Sequence, residues 1–231
     1  MKGLVVVLVL LLGLTVVADR VAVGIAEERV AEELAAQGGL QGTPEVDITG
    51  FPFLTQAVAG RYDDVRIALS ADQLGQPEGT RADVALRGVR VPLGSVLSGS
   101  VQQVPIDRVD GTATLSYDLL AAQLGGDTML RREGDGLRIT KTVELLGQTI
   151  PLTAAGTVSL DGNDLIVDVE NATGAGVDVP RVLVDQVADL LDLRYAVPAL
   201  PFGLRLTSVT PADDGVVVRV EATDTVVGAV E

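Results

Sequence analysis

The chain contains no histidine, no cysteine and no tryptophan. Without cysteine there is no disulfide framework, thiolate zinc site, thiol nucleophile or lipoprotein acylation site. Without histidine there is no Ser-His-Asp triad, no imidazole base and no His-ligated metal. Aromatic residues are scarce too. Three Phe and three Tyr stand in 231 residues that are 47% hydrophobic, so the core has to be aliphatic. Lysine occurs only at Lys2 and Lys141; the other bases are arginine, and 17 bases against 32 acids give 17 − 32 = −15. Such a charge argues against a nucleic-acid partner, because phosphate neutralisation needs a basic face. These absences lead away from an enzyme and toward a chain with no catalytic residues, no metal and no cofactor.

What is present begins with an apolar run. Met1-Lys2-Gly3 precedes Leu4 to Ala18, fifteen residues without a charge. A short positive start before such a run is the pattern of an export signal. It falls short of the ~20 residues that a helix needs to cross the hydrocarbon core. Val16 and Ala18 suit a cleavage site after Ala18, yet the apolar pattern resumes at Val21 after Asp19-Arg20. The reading is therefore a signal peptide or membrane anchor over 1–18, with 19–231 outside the cytoplasmic membrane as a single domain.

Residues 19–37 read as an amphipathic helix with Ala22, Ile25, Ala26, Val30 and Leu34 on one side and Glu27, Glu28, Glu32 and Glu33 on the other. Gly38-Gly39 ends it. A short extended piece (45–49) leads to a helix over 53–59, with Pro52 as its first residue and Gly60 as its stop. After that the period becomes two. Val65, Ile67 and Leu69 alternate with Arg66 and Ala68, Val84 and Leu86 with Ala85 and Arg87, and Val109, Gly111, Ala113 and Leu115 with Asp110, Thr112, Thr114 and Ser116. Tyr117 to Leu124 reads as one or two helical turns. Three hairpins follow from Gly134-Asp135-Gly136, Asp161-Gly162-Asn163-Asp164 and Asp213-Asp214-Gly215. A second longer amphipathic helix follows Pro180, with Leu183, Val187, Leu190 and Leu191 on its apolar face. The fold class is α+β: a long curled antiparallel β-meander with amphipathic helices near its two ends.

No motif carries chemistry. Ser95, Ser98 and Ser100 cluster without a base to activate them, and the acids sit at turns or on helix faces, where solvation explains them. The informative feature is an apolar face of small residues. Leu152, Ala154 and Gly156 share one side of the 149–160 strand, and Gly111, Ala113 and Leu115 add to it. Small inward residues leave room either for a closely docked element or for a ligand. Phe51, Phe53 and Phe202 stand beside prolines, with Leu54 next to them; such rings close either a core or the mouth of a tunnel. An aliphatic tunnel suits a lipid tail: at ~0.8 kcal/mol per buried CH₂, a sixteen-carbon chain gains on the order of 10 kcal/mol before binding costs. The acidic charge opposes adsorption to an anionic bilayer, so contact with lipid is expected through tails, with Arg61, Arg66 or Arg194 as candidates to meet a headgroup phosphate.

The segments Val46–Ile67 (VDITGFPFLTQAVAGRYDDVRI) and Val197–Ala222 (VPALPFGLRLTSVTPADDGVVVRVEA), with the leader that runs into an acidic helix, resemble the actinobacterial LmeA-like phospholipid-binding family of cell-envelope proteins. The resemblance implies a non-enzymatic protein that binds a phospholipid of the phosphatidylinositol type, at the membrane or in the periplasmic space, in support of envelope glycolipid synthesis. It also implies an elongated half-barrel related in shape to tubular lipid-binding domains, and a partner among envelope-synthesis proteins. The alternative is a membrane-anchored scaffold, itself non-catalytic, that regulates an envelope glycosyltransferase.

Overall fold

The computed structural model describes residues 2–98, 101–124, 128–145, 148–162, 164–174, 177–178, 195–196, 200 and 203–228. The expected helix after Pro180 lies outside them, as does Phe202. The first element is one unbroken helix, α1 (Lys2–Gly38). At 1.5 Å per residue it is about 55 Å long. Its apolar beginning and its acidic end are therefore parts of a single rod rather than two elements.

Among the described residues twelve strands follow, in an α+β arrangement whose two sheets are not closed into a barrel. The first sheet holds β1 (Glu45–Thr49), β2 (Arg61–Leu69), β3 (Arg81–Arg90), β4 (Gln103–Ser116), β12 (Gly215–Gly228) and β11 (Arg205–Pro211), in that order. The chain leaves this sheet after β4 and returns to it through β11 and β12. Between lies the second sheet, ordered β10 (Tyr195–Ala196), β8 (Asp164–Gly174), β7 (Gln148–Asp161), β6 (Gly136–Leu145) and β5 (Thr128–Glu133), with β9 (Val177–Asp178) also on β8. All three hairpins read from the sequence form. Glu133 pairs with Gly136, Asp161 with Asp164 and Pro211 with Val216. In each case a Gly-containing turn joins the paired strands.

The short helices connect strands: α2 (Phe53–Ala59), α3 (Ala71–Leu74), α4 (Leu93–Ser98) and α5 (Tyr117–Leu124). Gly60 ends α2 in the left-handed region, φ 65°, and its N–H donates to the Ala57 and Gln56 carbonyls. Pro52 stands just before the first turn rather than inside it. The sequence reading missed α3 and α4. For α3 the signal was present: Ser70 and Gln73 form a capping box, the S-x-x-Q spacing of a helix start.

The chain divides into two compact units. The first comprises residues 1–69, 83–110 and 222–231; it buries Val46 and Ile48 of β1, Phe53 of α2, Val65 of β2, Val89 of β3 and Ile106 and Val109 of β4. The second comprises 70–82 and 111–221. Its core is Leu137, Ile139, Val216 and Val218, packed by Leu115, Tyr117, Leu120, Leu130, Val158, Leu206, Val209 and Val220. Thr114 and Ser116, expected on the solvent side of β4, are buried as well. Ser116 tolerates burial because its Oγ accepts from the Leu119 N–H, capping α5, and from the Thr80 hydroxyl at 3.0 Å.

Candidate functional site

Two features bear on function: the junction between α1 and the first unit, and the small-residue face of the second. From Lys2 to Ala18 every residue of α1 is exposed. Protein contact begins abruptly at Asp19, whose side chain is 1% exposed. Asp19, Val23, Glu27 and Ala31 are four apart, so they form one ridge along the helix. Val23 and Ala31 are buried on it. The two acids act as hydrogen-bond acceptors for backbone of neighbouring elements. Asp19 Oδ1 accepts from the Leu54 N–H at 2.8 Å, and Glu27 Oε1 accepts from the Ile48 N–H at 2.9 Å.

The first of these bonds supplies something α2 lacks. An N-terminal helical N–H needs an acceptor, normally a side chain at the cap position. Pro52 occupies that position and offers no side-chain hydrogen bond. Asp19, thirty-five residues earlier, fills the role. Arg20 then binds Asp19 Oδ2 at 2.7 Å, and its guanidinium carbon lies 5.4 Å from the centroid of the Phe51 ring, a cation–π distance.

This geometry shifts the inner face of α1 from the one read in the sequence. Ile25 and Val30, assigned there to the apolar side, are exposed. The reason is that Asp19 and Glu27 hydrogen-bond to backbone and so rotate their own ridge inward. A count of apolar residues assigns acids to solvent and cannot see such bonds.

Gln56 holds α2 across the end of the β1–β2 pair. Its side-chain amide donates to the Thr49 carbonyl at 3.3 Å, and its Oε1 accepts from the Asp63 N–H at 2.9 Å. Of the residues singled out in the sequence, Phe53 is buried in the first unit, with its ring centroid 6.0 Å from that of Tyr62. Phe51 and Leu54 are exposed instead.

Ala113, Leu115, Leu152 and Ala154 belong to the second unit. Leu152 and Ala154 are buried, Ala154 lies opposite Ile139 in the β6–β7 pair, and Leu115 packs on the core that Ile139 centres. Ala113 is half-buried. The space beside Gly111 is taken: a Cβ there would lie 2.6 Å from Val220 Cγ2. Leu183, Val187, Leu190, Leu191, Arg194 and Phe202 lie outside the described residues. Arg61 and Arg66, candidates for a headgroup phosphate, are each engaged by a carboxylate, Asp107 at 3.1 Å and Asp64 at 3.0 Å. Arg90 joins Arg61 on Asp107, and Arg87 and Arg108 share Asp110.

Comparison with known proteins gives one match. The family model for LmeA-like phospholipid-binding proteins covers residues 17–221. No curated protein and no solved structure matches the chain. The matched span starts two residues before Asp19 and runs through both compact units, so it takes in the α1 junction and the aliphatic core alike. The chain belongs to the LmeA-like phospholipid-binding family.

Proposed function

We propose that the protein is a membrane-anchored phospholipid-binding protein of the cell envelope, exported so that residues 19–231 act as one lipid-binding domain outside the cytoplasmic membrane. The observation that carries this reading is the family match over 17–221. It is supported by an exposed apolar helical segment that ends where that match begins. Phospholipid binding follows from the family; the anchor, the groove and the biological setting are our reading.

The acyl chains are held in an aliphatic groove of the second unit, against Ala113, Leu115, Leu152 and Ala154. From the sequence pattern, Leu183, Val187, Leu190 and Leu191 of the late segment are counted among the residues that meet the tails. Aliphatic lining suits tails, because each buried CH₂ gains ~0.8 kcal/mol without requiring a polar partner. The headgroup is of the phosphatidylinositol type, and the lipid is carried or sensed in support of envelope glycolipid synthesis, with a synthesis protein as partner. No step of bond making is assigned to the chain, which has neither histidine nor cysteine to serve one.

The test is solvent extraction of the chain purified in mild detergent, followed by mass spectrometry. A diacyl phospholipid recovered at about one per chain, beyond the detergent's own lipid background, supports the reading. One observation favours the second reading, a scaffold for an envelope glycosyltransferase. The space left by Gly111 is filled by Val220, as in a solid core. That reading predicts background lipid only, together with a partner captured by crosslinking.

A further inference from the structure

The exposed apolar residues outside α1 are not scattered. Among the described residues the large ones are Phe51, Leu54, Val58, Val96, Met129 and Val226. Four of these six lie on two neighbouring connections of the first unit, at α2 and α4. Those connections meet: α2 touches α4, and the Val91 N–H donates to the Gly60 carbonyl at 3.0 Å. Leu54 and Val58, one helical turn apart, share a face of α2. Val58 is 76% exposed and Phe51 63%.

The position of this patch is fixed by α1. Glu27 binds Ile48 near the end of β1, and Asp19, eight residues nearer the apolar segment, binds Leu54. As β1 runs into α2, the chain therefore climbs α1 by about 12 Å toward that segment. The α2 connection lies at the level where the apolar run ends.

A bilayer makes a demand at the same level. Leu4 to Ala18 measure about 22 Å, whereas a hydrocarbon core is about 30 Å thick. Val21 and Ile25 continue the exposed apolar line of α1, each more than half exposed. Extending the span to Ile25 brings it to about 33 Å. The charges at 19 and 20 are no obstacle, since Asp19 is hidden under α2 and Arg20 is long enough to reach the headgroups from a partly apolar setting. The same shift draws Phe51, Leu54, Val58 and Val96 into the interface.

The geometry points to a bilayer-contact surface made of Phe51, Leu54, Val58 and Val96, whose occupant is the leaflet that α1 enters. It rests on the anchor of the proposed function but not on the lipid groove. The surface seats the first unit on the membrane, with the Phe51 ring at the acyl boundary and the Arg20 guanidinium beside it reaching toward the headgroups.

The absence of tryptophan allows a direct test with single-Trp probes on the full chain. Phe51→Trp, Val58→Trp and Val96→Trp are reconstituted into phosphatidylcholine vesicles with and without dibrominated acyl chains. Leu8→Trp serves as the anchor probe and Asp135→Trp, at an exposed turn of the second unit, as the aqueous one. The expected result is strong quenching at 8, quenching on the order of half the emission at 58 and 96, as for an interfacial residue, and none at 135. Quenching at 8 but not at 58 or 96 overturns the proposal, and so does the lack of quenching at 8. Quenching at 58 by about one equivalent of brominated lipid per chain in detergent micelles also overturns it, because a bilayer is then not required. Failure of the groove is read separately, from lipid extraction.

Discussion

Asp19 and Leu54 stand thirty-five residues apart in sequence, yet the Asp19 carboxylate lies 2.8 Å from the Leu54 amide nitrogen. The bond ties the last turn of the apolar helical segment to the first turn of α2. It makes the orientation of α1 a property of the folded domain rather than of a flexible leader.

Removal of that acceptor has a local signature. In Asp19→Ala, hydrogen exchange at the Leu54 amide is expected to rise by roughly five- to tenfold, the loss of one helix cap. Asp19→Asn, which keeps a side-chain oxygen, restores most of the protection. Exchange at the Val218 amide, in the other compact unit, is unchanged in both.

Acid sensitivity follows from two other carboxylates. The hydrogen bond from Arg108 holds Asp110 below its ordinary range, assisted by the charges of Arg108 and Arg87 and opposed by partial burial. The hydrogen bond from Arg81 does the same for Asp214. A folded-state value below the unfolded 3.8 means that these pairs add stability above that pH, and that it is lost as pH falls through the folded values. Both pairs are partly exposed, so each contributes about half a kcal/mol. With no histidine to titrate, the urea midpoint is expected to be flat from about pH 5 to 8 and to fall below about pH 4. A slope near pH 6.5 contradicts this.

Packing beside Gly111 predicts a paired result. Gly111→Ala drives a methyl into Val220, a stiff β-branched side chain, and is expected to cost about 1–3 kcal/mol in urea unfolding. Gly111→Ala combined with Val220→Ala recovers much of that loss, because the second change removes the clash. Simple additivity of the two single changes contradicts the contact.

Among the described residues Ile139 is the most buried large apolar side chain of the second unit, at 1% exposure. Ile139→Ala is expected to cost about 2–5 kcal/mol. Met129→Ala, on the exposed side of β5, is expected to change stability by less than about 0.5 kcal/mol.

Much of the architecture was legible because its signals are local. Alternation marks β1, where Val46 and Ile48 are buried around exposed Asp47. Gly-containing turns mark the three hairpins, and Gly60 marks the stop of α2. The return of β12 to the side of β4 carries no local mark, since pairing across more than a hundred residues depends on packing that only the folded chain reveals. The same limit applied to α1. Its inner ridge was hidden because Asp19 and Glu27 look like solvent-facing acids until their backbone partners at Leu54 and Ile48 are known. Phe51 and Phe53 stand in the sequence as Pro-flanked rings that close a core or the mouth of a tunnel; Phe53 is buried, against Tyr62, and Phe51 is exposed.

The central claim is that the chain binds phospholipid at a defined site. Titration of the purified full chain, held in mild detergent, with a fluorescent diacyl phosphatidylinositol tests it most directly. The account predicts saturation near one lipid per chain and displacement by unlabelled phosphatidylinositol. A signal that rises linearly with lipid, without saturation or displacement, would be partition into the detergent and would contradict it.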